Sequence, residues 1–200
     1  TALSILGGAQ AATRGGAFVG GFSINTQAVA AQRIMGVVPQ GDVLWNELSV
    51  QAHLAVFARI RGVPASRVRV EARQAAEKVG LDGDAFDQSA RTLSGGQKRK
   101  LSLAIALVGR PAVLLLDEPT ARVDISTRQF LWDVLLRERA QRRVAIILST
   151  HSMLEAETLC TRVGVLVRGS LRCIGSPLHL TKRFADEYTV SATLERGQVD

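Results

Sequence analysis

Leu93-Ser94-Gly95-Gly96-Gln97 runs straight into a helical pattern carrying Leu101, Ala104, Ile105 and Val108. That pattern stops at Gly109 and Pro111 and gives way to the apolar run Ala112-Val113-Leu114-Leu115-Leu116, which ends in Asp117-Glu118-Pro119-Thr120. Ser94 is placed to cap the helix, and the two glycines let a phosphate approach the backbone closely. Free N–H groups and the positive end of the helix dipole then favour an anion. Alone, Ser-Gly-Gly is ordinary turn material. The apolar run suits a central parallel strand covered on both faces. Its two acidic residues fall at the carboxyl edge, where α/β sheets bind ligands. There Asp117 is placed to hold Mg²⁺ and Glu118 to polarise a water attacking a γ-phosphate; the competing reading is a solvated strand end.

Outward from this stretch, strand and helix alternate. Residues 126–141 read as an amphipathic helix with Phe130, Leu131, Val134 and Leu135, and Val144-Ala145-Ile146-Ile147-Leu148 as another buried strand leading to Ser149-Thr150-His151. Met153 to Leu159 is helical, and Val163 to Val167 is a strand turning at Arg168-Gly169. Upstream, residues 1–8 form a helix end stopped by Gly7-Gly8, residues 17–24 a short strand and turn, and Gln27 to Arg33 a short helix. The β-branched run Ile34-Met35-Gly36-Val37-Val38 ends at Pro39-Gln40. From about Ser49 to Gln88 the pattern is helical, with one helix closed by Gly62 and Pro64 and a second, Ala65 to Val79, closed by Gly80. These signals predict an α/β doubly wound parallel sheet with an inserted helical block. The boundaries are a first core part at 1–48, the helical subdomain at 49–110, a second core part at 111–175 and an extension at 176–200.

The chain has 200 residues, 46% hydrophobic and 22% charged. A domain of this length buries roughly 70% of the surface its unfolded chain exposes. Disorder, collagen and a disulfide scaffold do not describe it. The net charge of +7 suits nucleic acid or an anionic membrane surface, yet the basic residues are scattered and mostly Arg, with Lys only at 78, 98, 100 and 182. Cys160 and Cys173 form no metal or disulfide framework, which points to a reducing compartment. No stretch within these residues reaches about 18 uninterrupted apolar positions, the minimum for a spanning helix. The start, Thr1-Ala2-Leu3-Ser4-Ile5-Leu6, lacks the charged region of a secretory leader and opens without Met, as a piece of a longer polypeptide would. His53 and His179 receive no role.

In order along the chain stand Gln40, Ser94 to Gln97, Asp117-Glu118, Asp124 and His151. This set resembles the Q-loop, signature motif, Walker B, D-loop and H-loop of the nucleotide-binding domain of ABC transporters. Val38-Pro39-Gln40, Ala58-Arg59-Ile60-Arg61-Gly62-Val63-Pro64 and Lys98-Arg99-Lys100-Leu101-Ser102-Leu103-Ala104 look like the A subfamily of lipid exporters. So do Cys160-Thr161-Arg162, Gly169 to Pro177, His179-Leu180 and Lys182-Arg183-Phe184, a tail more similar to the second cassette of such proteins than to the first.

The resemblance implies a P-loop NTPase (RecA-like) core, ATP and Mg²⁺ as ligands, and ATP hydrolysis coupled to transport. Glu118 is then the general base, Asp117 the metal ligand, His151 a γ-phosphate contact and Gln40 a sensor of metal and water. Ser94, Gly95, Gly96, Gln97 and Asp124 serve the nucleotide of a second cassette paired head to tail. Transmembrane domains of the same transporter, and a lipid bound by them, complete the expected partners. The cassette sits on the cytoplasmic face of a membrane, and no nucleic acid is involved.

Two departures stand out. The phosphate-binding loop G-x-x-G-x-G-K-[ST] is not found, and no lysine precedes Lys78. The resemblance puts Ala2 to Leu6 in the helix after that loop and Thr1 next to its metal-binding hydroxyl, so the expectation is truncation just after the loop and an inactive fragment. Ala121-Arg122-Val123-Asp124-Ile125 stands where the family has S-G-[LMV]-D-P, so Arg122 is predicted to strain a backbone position suited to glycine. Two other classes fit less well. One is a soluble ABC ATPase acting on nucleic acid or ribosomes. Its chromosome-maintenance form places long coiled coils between Gln40 and the signature, where this chain has no sustained heptads. The other is a non-hydrolytic regulatory cassette.

Overall fold

Three apolar runs pair into one parallel sheet. In the computed structural model, which describes residues 2–184, β3 (Met35–Val38), β4 (Val113–Asp117) and β5 (Ala145–Ser149) lie in the order β3-β4-β5. Val38 is paired with Leu116, and Asp117 with Ser149. Because the strands run the same way, Pro39-Gln40, Asp117-Glu118 and Thr150-His151 all leave the sheet at one carboxyl edge. Thr1 and residues 185–200, part of the expected extension, lie outside the described residues.

β4 is central and its Leu114, Leu115 and Leu116 are fully buried, as the apolar run predicts. β5 departs from the prediction of a second buried strand: Ala145 is exposed and Ile147 is 46% exposed. Among the described residues β5 is an edge strand with one neighbour, and the side of it that carries Ala145 and Ile147 is not covered. Apolar content alone does not tell a central strand from an edge one.

One face of the sheet is covered by α1 (Ala2–Leu6), a hairpin and α2 (Ala28–Arg33). Leu3, Leu6, Val19, Phe22, Ile24 and Ala31 pack there on Met35, Val113 and Leu115. The hairpin is β1 (Phe18–Val19) and β2 (Phe22–Ser23), two strands where the sequence suggests one. The other face receives α6 (Gly95–Leu107), and one glycine decides how closely. A Cβ at Gly36 would stand 2.2 Å from the Ala106 carbonyl oxygen, so only glycine lets helix and strand backbones approach this far.

Between β3 and β4 the chain is helical: α3 (Val50–Ile60), α4 (Ala65–Lys78), α5 (Asp84–Asp87), a 3₁₀ turn at Ala90–Thr92, and α6. α5 and the 3₁₀ turn are too short to leave a period in the sequence. Buried His53 ties this region to the loop after β3: its Nε2 accepts from the Trp45 N–H at 3.0 Å and its Nδ1 lies 2.8 Å from the Ser49 carbonyl oxygen. With Nε2 accepting, the ring proton that faces the Ser49 carbonyl is on Nδ1. α7 (Ile125–Arg142) buries Leu131, Trp132, Val134 and Leu135, while its Glu138 pairs with Lys78 of α4 and with Arg142.

Contacts divide the chain into two units, Thr1–His151 and Ser152–Asp200. In the second, Ser152 caps α8 (Met153–Leu159), and β6 (Val163–Val167) pairs antiparallel with β7 (Ser170–Gly175) ahead of α9 (Pro177–Phe184). Arg168 and Gly169 have φ of 51° and 77°, the doubly positive turn that matches strand twist in a two-residue hairpin. The predicted turn is therefore found.

Candidate functional site

The structure gathers the predicted residues into two groups. The first stands at the carboxyl edge of the sheet. Asp117 is the last residue of β4, and its carboxylate accepts a hydrogen bond from the Ser149 hydroxyl across the β4–β5 pairing. Glu118 follows with φ of 45°, a left-handed backbone that a non-glycine residue adopts only when its surroundings enforce it. They do so from both sides. Its N–H donates to the Ser149 hydroxyl oxygen (3.1 Å) and carbonyl oxygen (3.2 Å), and its own carbonyl accepts from Arg99 at 2.7 Å. The turn bends the side chain off the strand line, and Glu118 Oε2 lies 3.5 Å from Nδ1 of the exposed His151. Gln40 is exposed one residue beyond Pro39, beside this edge because β3 neighbours β4.

Asp117 and Gln40 offer two oxygen donors, one of them charged. That set fits Mg²⁺, which keeps waters and phosphate oxygens and takes only one or two protein carboxylates. Among the described residues no group of three or more His, Cys, Asp or Glu could form a dedicated metal cage.

The second group stands at the N-terminus of α6. Ser94 Oγ accepts from the Gln97 N–H at 3.2 Å, and Gln97 Oε1 accepts from the Ser94 N–H at 2.9 Å, a reciprocal capping box. The cap predicted from the sequence is present. A Cβ at Gly95 would meet nothing within 4 Å, whereas one at Gly96 would stand 2.9 Å from the Thr127 hydroxyl. That hydroxyl donates to Asp124, which also caps α7 through the Thr127 N–H and accepts from Ser126. These bonds, that of Ser126 first, hold the Asp124 carboxyl well below the usual carboxylate range. Thr127 is thus bonded to Asp124 and occupies the space that a side chain at Gly96 would need. Arg122, two residues earlier, has φ of 62°, the positive value predicted for it.

Sequence reasoning missed Arg99 and Ser149, which hold the first group in place. Arg99 was legible only as one cation in Lys98-Arg99-Lys100. Its sign of burial is helical spacing, since Ser102, Leu103 and Ala106 follow at three, four and seven positions on the covered side of α6.

The ABC transporter family profile matches residues 1–121, more than half of the chain. This chain belongs to that family. It is 45% identical over 180 residues to human phospholipid-transporting ATPase ABCA7, covering 90% of this chain and 8% of the relative. It is 41% identical over 194 residues to rat ATP-binding cassette sub-family A member 2, covering 97% and 8%. ABC transporter A family member 8 of Arabidopsis thaliana is 42% identical over 180 residues, covering 90% and 20%. The chain therefore spans a small part of these relatives' length, and the sub-family read from its sequence is the one they carry. Among solved structures, the dimeric post-hydrolysis state of the ATP-binding cassette MJ0796 bound to ADP and Pi superposes with a TM-score of 0.79 at 20% identity, covering 88% of this chain and 79% of that one. The fold is that of a P-loop NTPase cassette, as expected.

Proposed function

We propose that this chain is the ATP-hydrolysing cassette of a transporter that moves lipid across a membrane. The observation that carries the reading is the convergence of Gln40, Asp117, Glu118 and His151 at one carboxyl edge, from three neighbouring parallel strands. The name of the human relative supports the choice of phospholipid as substrate class.

Phosphoryl transfer to water depends on positioning and electrostatics more than on covalent chemistry. Glu118 accepts a proton from the attacking water, and its strained turn aims the carboxylate away from the sheet. His151 donates a hydrogen bond to a γ-phosphate oxygen. Asp117 and Gln40 hold Mg²⁺, which when bound neutralises charge on the phosphates. Gly95 and Gly96 present backbone N–H groups to the nucleotide of a second cassette paired head to tail, Ser94 and Gln97 hold that turn in shape through the capping box and border the same nucleotide, and Asp124 lines that same junction. Transmembrane domains take up the motion and the lipid. No described helix is long and apolar enough to cross a membrane, and the proposed location is the cytoplasmic face of one. The division at 1–48, 49–110, 111–175 and 176–200 belongs to the same proposal.

Two measurements test it. The complete polypeptide carrying this cassette, reconstituted in phospholipid vesicles, should hydrolyse ATP and redistribute a headgroup-labelled phospholipid between leaflets. ATP turnover stimulated by RNA or ribosomes and indifferent to lipid would replace this reading with a soluble ATPase. The 200-residue chain alone should bind ATP at about millimolar Kd or weaker, because within it no G-x-x-G-x-G-K-[ST] loop supplies N–H groups and a lysine to the β- and γ-phosphates. Micromolar binding by calorimetry would overturn that.

A further inference from the structure

Arg99 is 4% exposed, on the second turn of α6, and every N–H of its guanidinium has an acceptor. Nε donates to the Pro119 carbonyl at 2.7 Å. Nη1 donates to the Pro39 carbonyl at 2.8 Å and to Asp42 Oδ1 at 3.3 Å, and Nη2 to the carbonyls of Asp117 (3.0 Å) and Glu118 (2.7 Å). Four of these five acceptors are backbone oxygens and the fifth is the Asp42 carboxylate, so the arginine grips chiefly the course of the chain. The gripped segments are the ones that matter: the residue before Gln40, and the Asp117-Glu118-Pro119 turn. The helix that carries the grip begins at Gly95.

We propose that Arg99 is a positioning residue for ATP hydrolysis. It fastens Glu118 and the Gln40 loop to the first turns of α6, so that one chain's base and its signature residues move as a single piece. The inference rests on the reading of Glu118 as the base. Two features separate it from a bare packing role. Glu118 holds a left-handed backbone that needs enforcement, and Arg99 bonds the carbonyl of that residue. A lysine, with three donors and no planar fork, cannot reach five acceptors spread over two loops.

The test is Arg99→Lys. In the nucleotide-free 200-residue chain, amide exchange at Glu118 and Ala121 should accelerate about tenfold or more, while Leu114 and Ala72 in the core stay within about twofold. In the complete polypeptide, kcat should fall about tenfold or more with KM for ATP held within about threefold, the split expected when a base is misplaced and nucleotide binding is not. Unchanged exchange at Glu118, or acceleration spread evenly over the chain, would reduce Arg99 to a structural staple and overturn the proposal. So would unchanged kcat. Should Arg99→Lys not fold, Asp42→Ala, which removes one acceptor of five, should accelerate exchange in residues 40–42 about threefold while core amides hold. Unchanged exchange there would overturn the link between the Gln40 loop and α6. A wild-type polypeptide that hydrolyses no ATP would sink the functional reading instead, and the exchange measurement would still decide whether Arg99 holds the turn.

Discussion

At the sheet edge, Glu118 sits in a strained backbone, bonded on one side to Ser149 and on the other to Arg99. At the start of α6, Ser94 and Gln97 satisfy each other and Gly95 faces open space. The first region has its groups fixed before any ligand arrives; the second keeps a surface clear. The contrast fits a cassette that brings chemistry to its own nucleotide and a landing surface to another's. It also teaches that open space can be as specified as a contact, since the capping box pairs the polar side chains of Ser94 and Gln97 with each other's backbone and the space a Gly95 Cβ would enter stays clear.

The largest effect expected from breaking this contrast is at Glu118. In the complete polypeptide Glu118→Gln should lower steady-state ATP turnover about 10²–10⁴-fold while ATP binding persists, because a carboxamide keeps the shape and cannot act as base. Retention of more than about a tenth of wild-type turnover would mean another group takes the proton.

Next comes the open surface. Gly95→Asp puts a carboxylate where a partner's phosphate is expected, and ATP-dependent association of two cassettes should weaken about a hundredfold. Thermal stability of the variant chain alone should hardly change, because a Cβ there meets nothing and an acidic residue suits a helix N-terminus. Unaltered association would show the region to be a capped turn and no more.

The two regions also differ in how far sequence alone revealed them. The second was written locally: Ser94 and Gln97 are three apart, and a capping box needs nothing else. So were the helices that end at glycine or proline, and the two-residue turn at Arg168-Gly169. The first was half legible. An apolar run ending in Asp117-Glu118 announces a strand edge. What holds that edge is Ser149, 31 residues after Glu118, and Arg99, 19 before it. Neither residue type is unusual where it stands, and only the fold brings them together. The same limit explains β5, whose apolar run matches that of β4 although among the described residues it lies at an edge.

Smaller effects sharpen the picture around Asp124. Arg122 has φ of 62°, where a side chain costs roughly 1 kcal/mol, part of which glycine's extra chain entropy takes back. Arg122→Gly should therefore stabilise the chain by about 0.5 kcal/mol, raising Tm by about 1–2 °C. A lower Tm would mean that the arginine side chain supplies more than its backbone costs. The smallest effect is one of pH. The carboxyl of Asp124 is held below its unfolded value, so its contribution is fully present above about pH 4 and is lost as pH falls towards the folded value. Asp124→Asn keeps a capping side chain without that titration. The stability gap between wild type and variant should be constant from about pH 5 to 7 and change below about pH 4, as read by thermal melts. A gap with no such break would show that the Asp124 bonds do not distinguish the charged form.

The close approach at Gly36 also has a mechanical meaning. Ala106 rests on the strand backbone near the far end of α6, which makes that contact a fulcrum. At 1.5 Å per residue, Arg99 stands about 10 Å along the helix from it and Gly95 about 16 Å. A tilt that moves Arg99 by about 1 Å therefore swings Gly95 by about 1.6 Å by simple proportion, and the reverse holds for a push delivered at the tip. The helix is a lever with its pivot in the sheet and its grip on Glu118 between pivot and tip. Adding a side chain at position 36 would push Ala106 off the strand and shift the fulcrum, and in the proposed two-cassette reading it would change the leverage of one nucleotide over the other.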